Sequence, residues 1–172
     1  MKSPISLLLC LSVAILLTTS TCHPSAPPPP ALTYLATINL TTSYPLPIGA
    51  LPSGDRRVIP ITGGLVSGPA LNGTVAPLGV DWFLSNTATD EYIVDGKFVI
   101  QTDDGVNVIF HDWGHLPAAH GEFEVGMGTA YGWLNRVVAV VGVGQLDGGA
   151  RLDVWQVGQL GGGDGQGSVA VC

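Results

Sequence analysis

The residues whose types and spacing bear on chemistry fall in a few short stretches. Asp95 and Lys97 stand two apart, so on a strand they share one face. Buried, such a lysine has a lowered pKa and acts as a base or Schiff-base nucleophile; exposed, it forms a surface ion pair. Tyr131, Trp133 and Asn135 alternate in the same way. On one strand face they present two flat walls and an amide, which suits a ligand-binding lumen and equally suits an ordinary core. Asp103-Asp104 precedes Gly105, and adjacent residues point apart on a strand. That run reads as a hairpin turn rather than an acid–base pair. His111, His115 and His120, with Asp112, make the metal-like grouping of the chain. Their spacing matches no zinc pattern, and Gly114 and Pro117 break the helix that would align the first two. We read this stretch as a solvated loop and expect no metal. With no G-x-S-x-G, P-loop or dinucleotide fingerprint in the chain, no cofactor is expected either.

The elements that position these groups follow from composition. Among 172 residues, 24 are Gly and 13 are Pro, while 46% are hydrophobic and only 11% charged. That mixture describes many short strands joined by tight turns. The formal net charge is −7 with 6 Lys and Arg, which argues against nucleic acid and anionic lipid as partners. Along the chain, Leu32 to Thr41 reads as a first strand, Tyr44 to Gly54 as a Pro- and Gly-rich loop, and Arg57 to Thr62 as a strand. Tyr92 to Thr102 and Val106 to His111 form a hairpin about Asp103-Asp104-Gly105. His111 to Gly121 reads as a loop, Ala130 to Val143 as one long strand, and Arg151 to Val157 as the last. Eight to ten strands with hairpin connections fit an up-and-down antiparallel barrel or a sandwich, and a barrel removes exposed sheet edges.

The ends of the chain read differently. Lys2, the apolar run Ile5 to Leu17 and small residues to Thr21 have the layout of a signal peptide at residues 1–21. That run is short for a membrane span, so export to the secretory lumen or outside the cell is expected, with no stable membrane anchor after cleavage. A Pro-rich tether follows at residues 22–31, the barrel occupies 32–157, and a Gly-rich tail runs over 158–172. Cys22 and Cys172 would remain after cleavage, one near each end, and an oxidising compartment allows them to pair with each other or between molecules. Asn39 and Asn72 head two glycosylation sequons.

Several runs resemble a known family. They are Ile59-Pro60-Ile61-Thr62-Gly63-Gly64, Gly68-Pro69-Ala70-Leu71-Asn72-Gly73, Val75, Pro77, Gly79 and Asp81-Trp82. Asp95-Gly96-Lys97-Phe98, Thr102-Asp103-Asp104-Gly105 and Tyr131-Gly132-Trp133-Leu134-Asn135 continue the match. Together they resemble the domain of unknown function 3237 family of bacteria and fungi, in order from about Leu32 to Val157. The chain departs from the family pattern at Leu78-Gly79, where Gly-Gly is usual, and at Lys97-Phe98, where Arg-Tyr is usual. The resemblance implies an all-β fold, a single closed up-and-down antiparallel barrel of about 8–10 strands, and no settled activity. The matched positions imply a site of Thr62, Asp81, Trp82, Asp95, Lys97, Tyr131, Trp133 and Asn135. Asp81 would be a general base or orienting acceptor, with Asp95 beside it, and Lys97 would polarise an oxyanion. Tyr131 and Trp133 would stack on a small apolar or aromatic molecule, with Thr62 and Trp82 nearby, and Asn135 would hydrogen-bond it. Such a barrel serves a cyclase, isomerase or hydrolase-like enzyme of fungal polyketide or terpenoid metabolism, a ligand binder, or a structural extracellular protein.

Overall fold

The computed structural model describes residues 29–158. The expected leader, most of the tether, Cys22, Cys172 and the tail beyond Gly158 lie outside the described residues.

Eleven strands run in chain order: β1 Leu32–Thr42, β2 Leu46–Leu51, β3 Gly54–Ser67, β4 Gly73–Val75, β5 Gly79–Asp81, β6 Leu84–Asn86, β7 Glu91–Thr102, β8 Asn107–His115, β9 Ala118–Val125, β10 Ala139–Leu146 and β11 Gly149–Val157. The neighbours follow β1-β11-β10-β9-β8-β7, and β3 pairs back with β1, so the sheet closes. β4, β5 and β6 stand in file between β3 and β7 and act as one interrupted strand, giving a closed antiparallel barrel of 8 strands. β2 pairs with β3 alone, alongside residues 54–58 of that strand.

Strand alternation explains the interior. On β7, Val94, Gly96, Phe98, Ile100 and Thr102 are buried while Glu91 and Lys97 are exposed. On β8, Val108, Phe110, Asp112 and Gly114 are buried. Apolar inward positions from every long strand meet in one core, including Ile38, Ile61, Val66, Phe123, Val141, Leu152 and Val154. Phe98, Phe110 and Phe123 lie against one another, with ring centroids 5.5 and 4.8 Å apart, and fill the middle of the barrel. Burial of this apolar area drives the closure.

Three expectations are corrected. Tyr44 to Gly54 is not a loop throughout, because Leu46–Leu51 pairs with β3 as a wholly exposed edge strand. His111 to Gly121 is the β8–β9 hairpin rather than a solvated loop. Gly114 marks a close approach there, not a break: a Cβ on it would meet the Ala119 Cα at 2.7 Å. The long strand expected from Ala130 starts only at Ala139. Before it, Gly132–Arg136 is a 3-10 helix whose Leu134 is fully buried. Leu134 and the chain around it close the end of the barrel near Val108 and Val125.

Candidate functional site

The opposite end of the barrel is open. A cavity of about 450 Å3 lies there, walled by Ile59 of β3, Tyr92 and Val94 of β7, Phe83, Leu116, and residues 143–145 and 149–150 of β10 and β11. Phe83 and Tyr92 stack with centroids 6.4 Å apart and planes 25° from parallel, forming one flat wall. The polar side chains among its lining residues are Asp81, Gln145 and the phenol of Tyr92.

Asp81 ends β5, opposite Ile59 on β3 and Gly96 on β7. Its Oδ1 accepts the Asp95 backbone N–H at 2.9 Å, which fixes the carboxyl at the cavity wall. Burial raises its pKa above the ordinary 3.8; the Asp95 amide bond and Arg56 offset part of that, while the Asp95 charge adds to it.

Asp112 lies deeper, 4% exposed, on the inner face of β8. Its two cross-strand neighbours are both glycine, Gly96 on β7 and Gly121 on β9. The missing side chains make the room for its carboxyl: a Cβ at Gly96 would lie 2.7 Å from the Asp112 Oδ1. Burial, then the charge of Asp81, push its pKa up to about 8. None of the three ion pairs among the described residues includes Asp81 or Asp112. At neutral pH the pair therefore holds one neutral acid, Asp112, beside a second carboxyl whose proton affinity is also raised. Two carboxyl groups differing in this way divide the work of acid and base.

The other residues expected at the site do not gather here. Lys97 is on the outer face, ion-paired with Glu124 at 2.9 Å, because its odd position on β7 points away from buried Gly96 and Phe98. Asp95 is likewise outward, with His111 Nε2 at 2.9 Å from its Oδ1. Trp82 is 47% exposed, and its carbonyl accepts from Arg56. Thr62 is exposed and donates to the Thr41 carbonyl at 3.2 Å. Tyr131, Trp133 and Asn135 share no strand face, since the 3-10 helix holds Trp133 and Asn135 at the closed end. Asn135 is spent on the backbone: Oδ1 accepts from the Val125 N–H at 2.9 Å, and Nδ2 donates to the Val125 carbonyl at 2.8 Å. It also borders an outer groove of about 850 Å3, larger but more open than the mouth, with Glu124 as its one ionisable side chain. Tyr131 packs against the core, where burial and Asp104 raise its phenol pKa. Of the sequons, Asn39 is exposed on β1, whereas Asn72 is held to Gly68 through both amide atoms, Nδ2 donating at 2.7 Å and Oδ1 accepting at 3.0 Å.

A family model described as "Protein of unknown function (DUF3237)" matches residues 30–121. The chain belongs to this family. The span matched to DUF3237 contains Asp81, Gly96, Asp112 and Gly121, the whole carboxyl pair and its glycine neighbours. The chain is similar to the hydroalkoxylation enzyme phnH of Penicillium herquei, 29% identical over 133 residues, covering 77% of this chain and 87% of the relative. The fold is similar to the crystal structure of an enzyme from Penicillium herquei, with a TM-score of 0.69, 28% identity and coverage of 77% and 98%. It is also similar to a beta-barrel like protein from Acinetobacter baumannii AYE, with a TM-score of 0.71, 25% identity and coverage of 77% and 99%. The DUF3237 resemblance read from the motifs is thus correct, and so is the closed barrel. Asp112 is the residue that sequence reasoning missed. Its signal was present in the alternation of Val108, Phe110, Asp112 and Gly114, hidden by reading His111 to Gly121 as a loop.

Proposed function

We propose that this barrel is an acid–base catalyst that closes an oxygen ring by adding a hydroxyl across a carbon–carbon double bond of the same small, largely apolar molecule. Asp81 on the wall of a flat-walled mouth, with buried Asp112 across Gly96 from it, carries this reading. Neutral Asp112 donates its proton to one alkene carbon. The hydroxyl oxygen bonds the other carbon, and its proton passes to the Asp81 carboxylate. Return of that proton to Asp112 restores the pair, so the product is an isomer of the substrate and nothing is oxidised or reduced. The low-dielectric wall favours proton transfer between groups of raised pKa, while Phe83 and Tyr92 hold an aromatic ring in place. The likeness to the hydroalkoxylation enzyme of Penicillium herquei supports the reaction class. Export through the leader expected at residues 1–21 belongs to the same reading and would place the reaction outside the cytosol.

The test incubates the full chain with ortho-prenylphenol in deuterated water. The expected product has a closed oxygen ring and one carbon-bound deuterium. Asp112→Asn and Asp81→Asn each lower turnover at least 100-fold while retaining the phenol. Turnover unchanged in both variants overturns the assignment of the pair. Phenol bound by the native chain with no isomer formed overturns catalysis of this addition in favour of a ligand-binding barrel.

A further inference from the structure

Behind the mouth, the outer wall carries an imidazole–carboxylate pair that the proposed reaction leaves unused. Asp95 of β7 joins the two sides of the wall. Its backbone N–H donates to the Asp81 Oδ1 at 2.9 Å, and its carbonyl accepts the Trp82 N–H at 2.9 Å. Its side chain points outward, where Oδ1 lies 2.9 Å from His111 Nε2. Both side chains border a hollow of about 250 Å3 on the outer wall, with Arg56, Ile93 and Trp113. Charged groups approach His111 from three strands. Lys97 lies opposite it on β7 and Glu122 opposite it on β9, while Arg56 of β3 borders the same hollow. Lys97 is drawn to Glu124 at 2.9 Å, and Arg56 donates to the Trp82 carbonyl. Asp95 is the carboxylate bonded to the imidazole directly.

We infer that His111 is a positioning residue for the acid–base chemistry: through Asp95 it sets the negative charge that faces Asp81 across the wall. The inference rests on the reaction proposed for Asp81, and its first readout does not need that reaction. Imidazole is the side chain that changes charge near neutral pH. A charged ring donates to Asp95 and offsets the carboxylate; a neutral ring leaves the Asp95 charge uncompensated. A carboxylate opposes ionisation of a carboxyl near it, and a cation beside it weakens that opposition. Burial leads the rise in proton affinity at Asp81 and Asp112, and the Asp95 charge adds to it at each. Charged His111 therefore leaves Asp81 easier to ionise, as a base must be, and neutral His111 leaves Asp81 holding its proton more tightly. Asp112, almost wholly buried behind Gly96, is governed chiefly by its burial, so the effect falls mainly on the base.

The full chain, carrying 13C at its aspartate carboxyls, is titrated by NMR from pH 3 to 9 as native, His111→Gln and His111→Arg. The Asp81 resonance is identified by its loss in Asp81→Asn. Gln keeps a hydrogen bond to Asp95 without charge, and Arg keeps a charge at every pH. Asp81 is expected to bind its proton about threefold more tightly in His111→Gln, and to stay within about 1.5-fold of native in His111→Arg. The acidic limb of kcat on ortho-prenylphenol then moves to higher pH by the same factor in His111→Gln only, with KM unchanged. Equal proton affinity at Asp81 in all three chains overturns the inference. An equal shift in both variants also overturns it, because His111 would then act by packing rather than by charge. The expected shifts at Asp81 with no isomer formed support the link between these residues and count against the reaction alone.

Discussion

Replacing Asp112 by Asn keeps the shape of the side chain and removes its proton chemistry, so stability as a function of pH reads the buried carboxyl directly. In the folded barrel Asp112 keeps its proton up to about pH 8, while in the unfolded chain it ionises near 3.8. Between those values the folded state binds more protons than the unfolded state, and stability falls as pH rises. The stabilisation is complete below about pH 4 and gone above about pH 8. The slope approaches 1.36 kcal/mol per pH unit, for a ceiling of about 6 kcal/mol over the whole interval. Relaxation of the surroundings around the ionised carboxyl reduces this, and a loss of about 3 kcal/mol is expected. The amide of Asp112→Asn does not titrate. Urea unfolding of native and D112N barrels at half-unit steps from pH 4 to 9 then gives two curves. Their difference shifts in favour of Asn by about 3 kcal/mol between pH 4 and pH 8 and stays level beyond. Parallel curves, with the difference constant to within about 1 kcal/mol, would refute the argument that burial and the charge of Asp81 hold this proton.

Two further outcomes follow from the same geometry. Gly96→Ala puts a methyl group 2.7 Å from the Asp112 Oδ1, so the carboxyl must move; a stability loss of about 1–3 kcal/mol by urea titration is expected, with the Asp112 titration step displaced. Lys97→Met removes an outward cation paired with exposed Glu124, so thermal stability should change by less than about 1 kcal/mol and turnover on ortho-prenylphenol should be unchanged within twofold.

Where a segment alternates cleanly, the fold was legible in the residues. Tyr92 to Thr102 pairs as expected with the strand returning from Asp103-Asp104-Gly105, and its buried face is the one that carries Val94, Phe98 and Ile100. The errors came where local signals met tertiary contacts. Gly114 and Pro117 resemble loop punctuation, yet Gly114 lies inside β8 because its neighbour strand runs too close for a side chain. Tyr131 to Asn135 alternates like a strand, but Gly132 and the hydrogen bonds of Asn135 to Val125 wind it into a 3-10 turn, and no local pattern announces a clamp ten residues away. The site followed the same rule. Asp81 was legible beside its motif, while Lys97 and Asp95 matched family positions whose strand parity faces outward. Asp112 needed the strand assignment that the glycine and proline obscured.

The three phenylalanines packed at mid-height turn the cylinder into a cup. On the proposed reaction, a molecule entering the mouth and the isomer formed from it share that one opening among the described residues. Inhibition by the product would then be competitive with the reactant. A long aliphatic chain on such a ligand would trail into the solvent, because Phe98, Phe110 and the buried side chains packed around them occupy the interior.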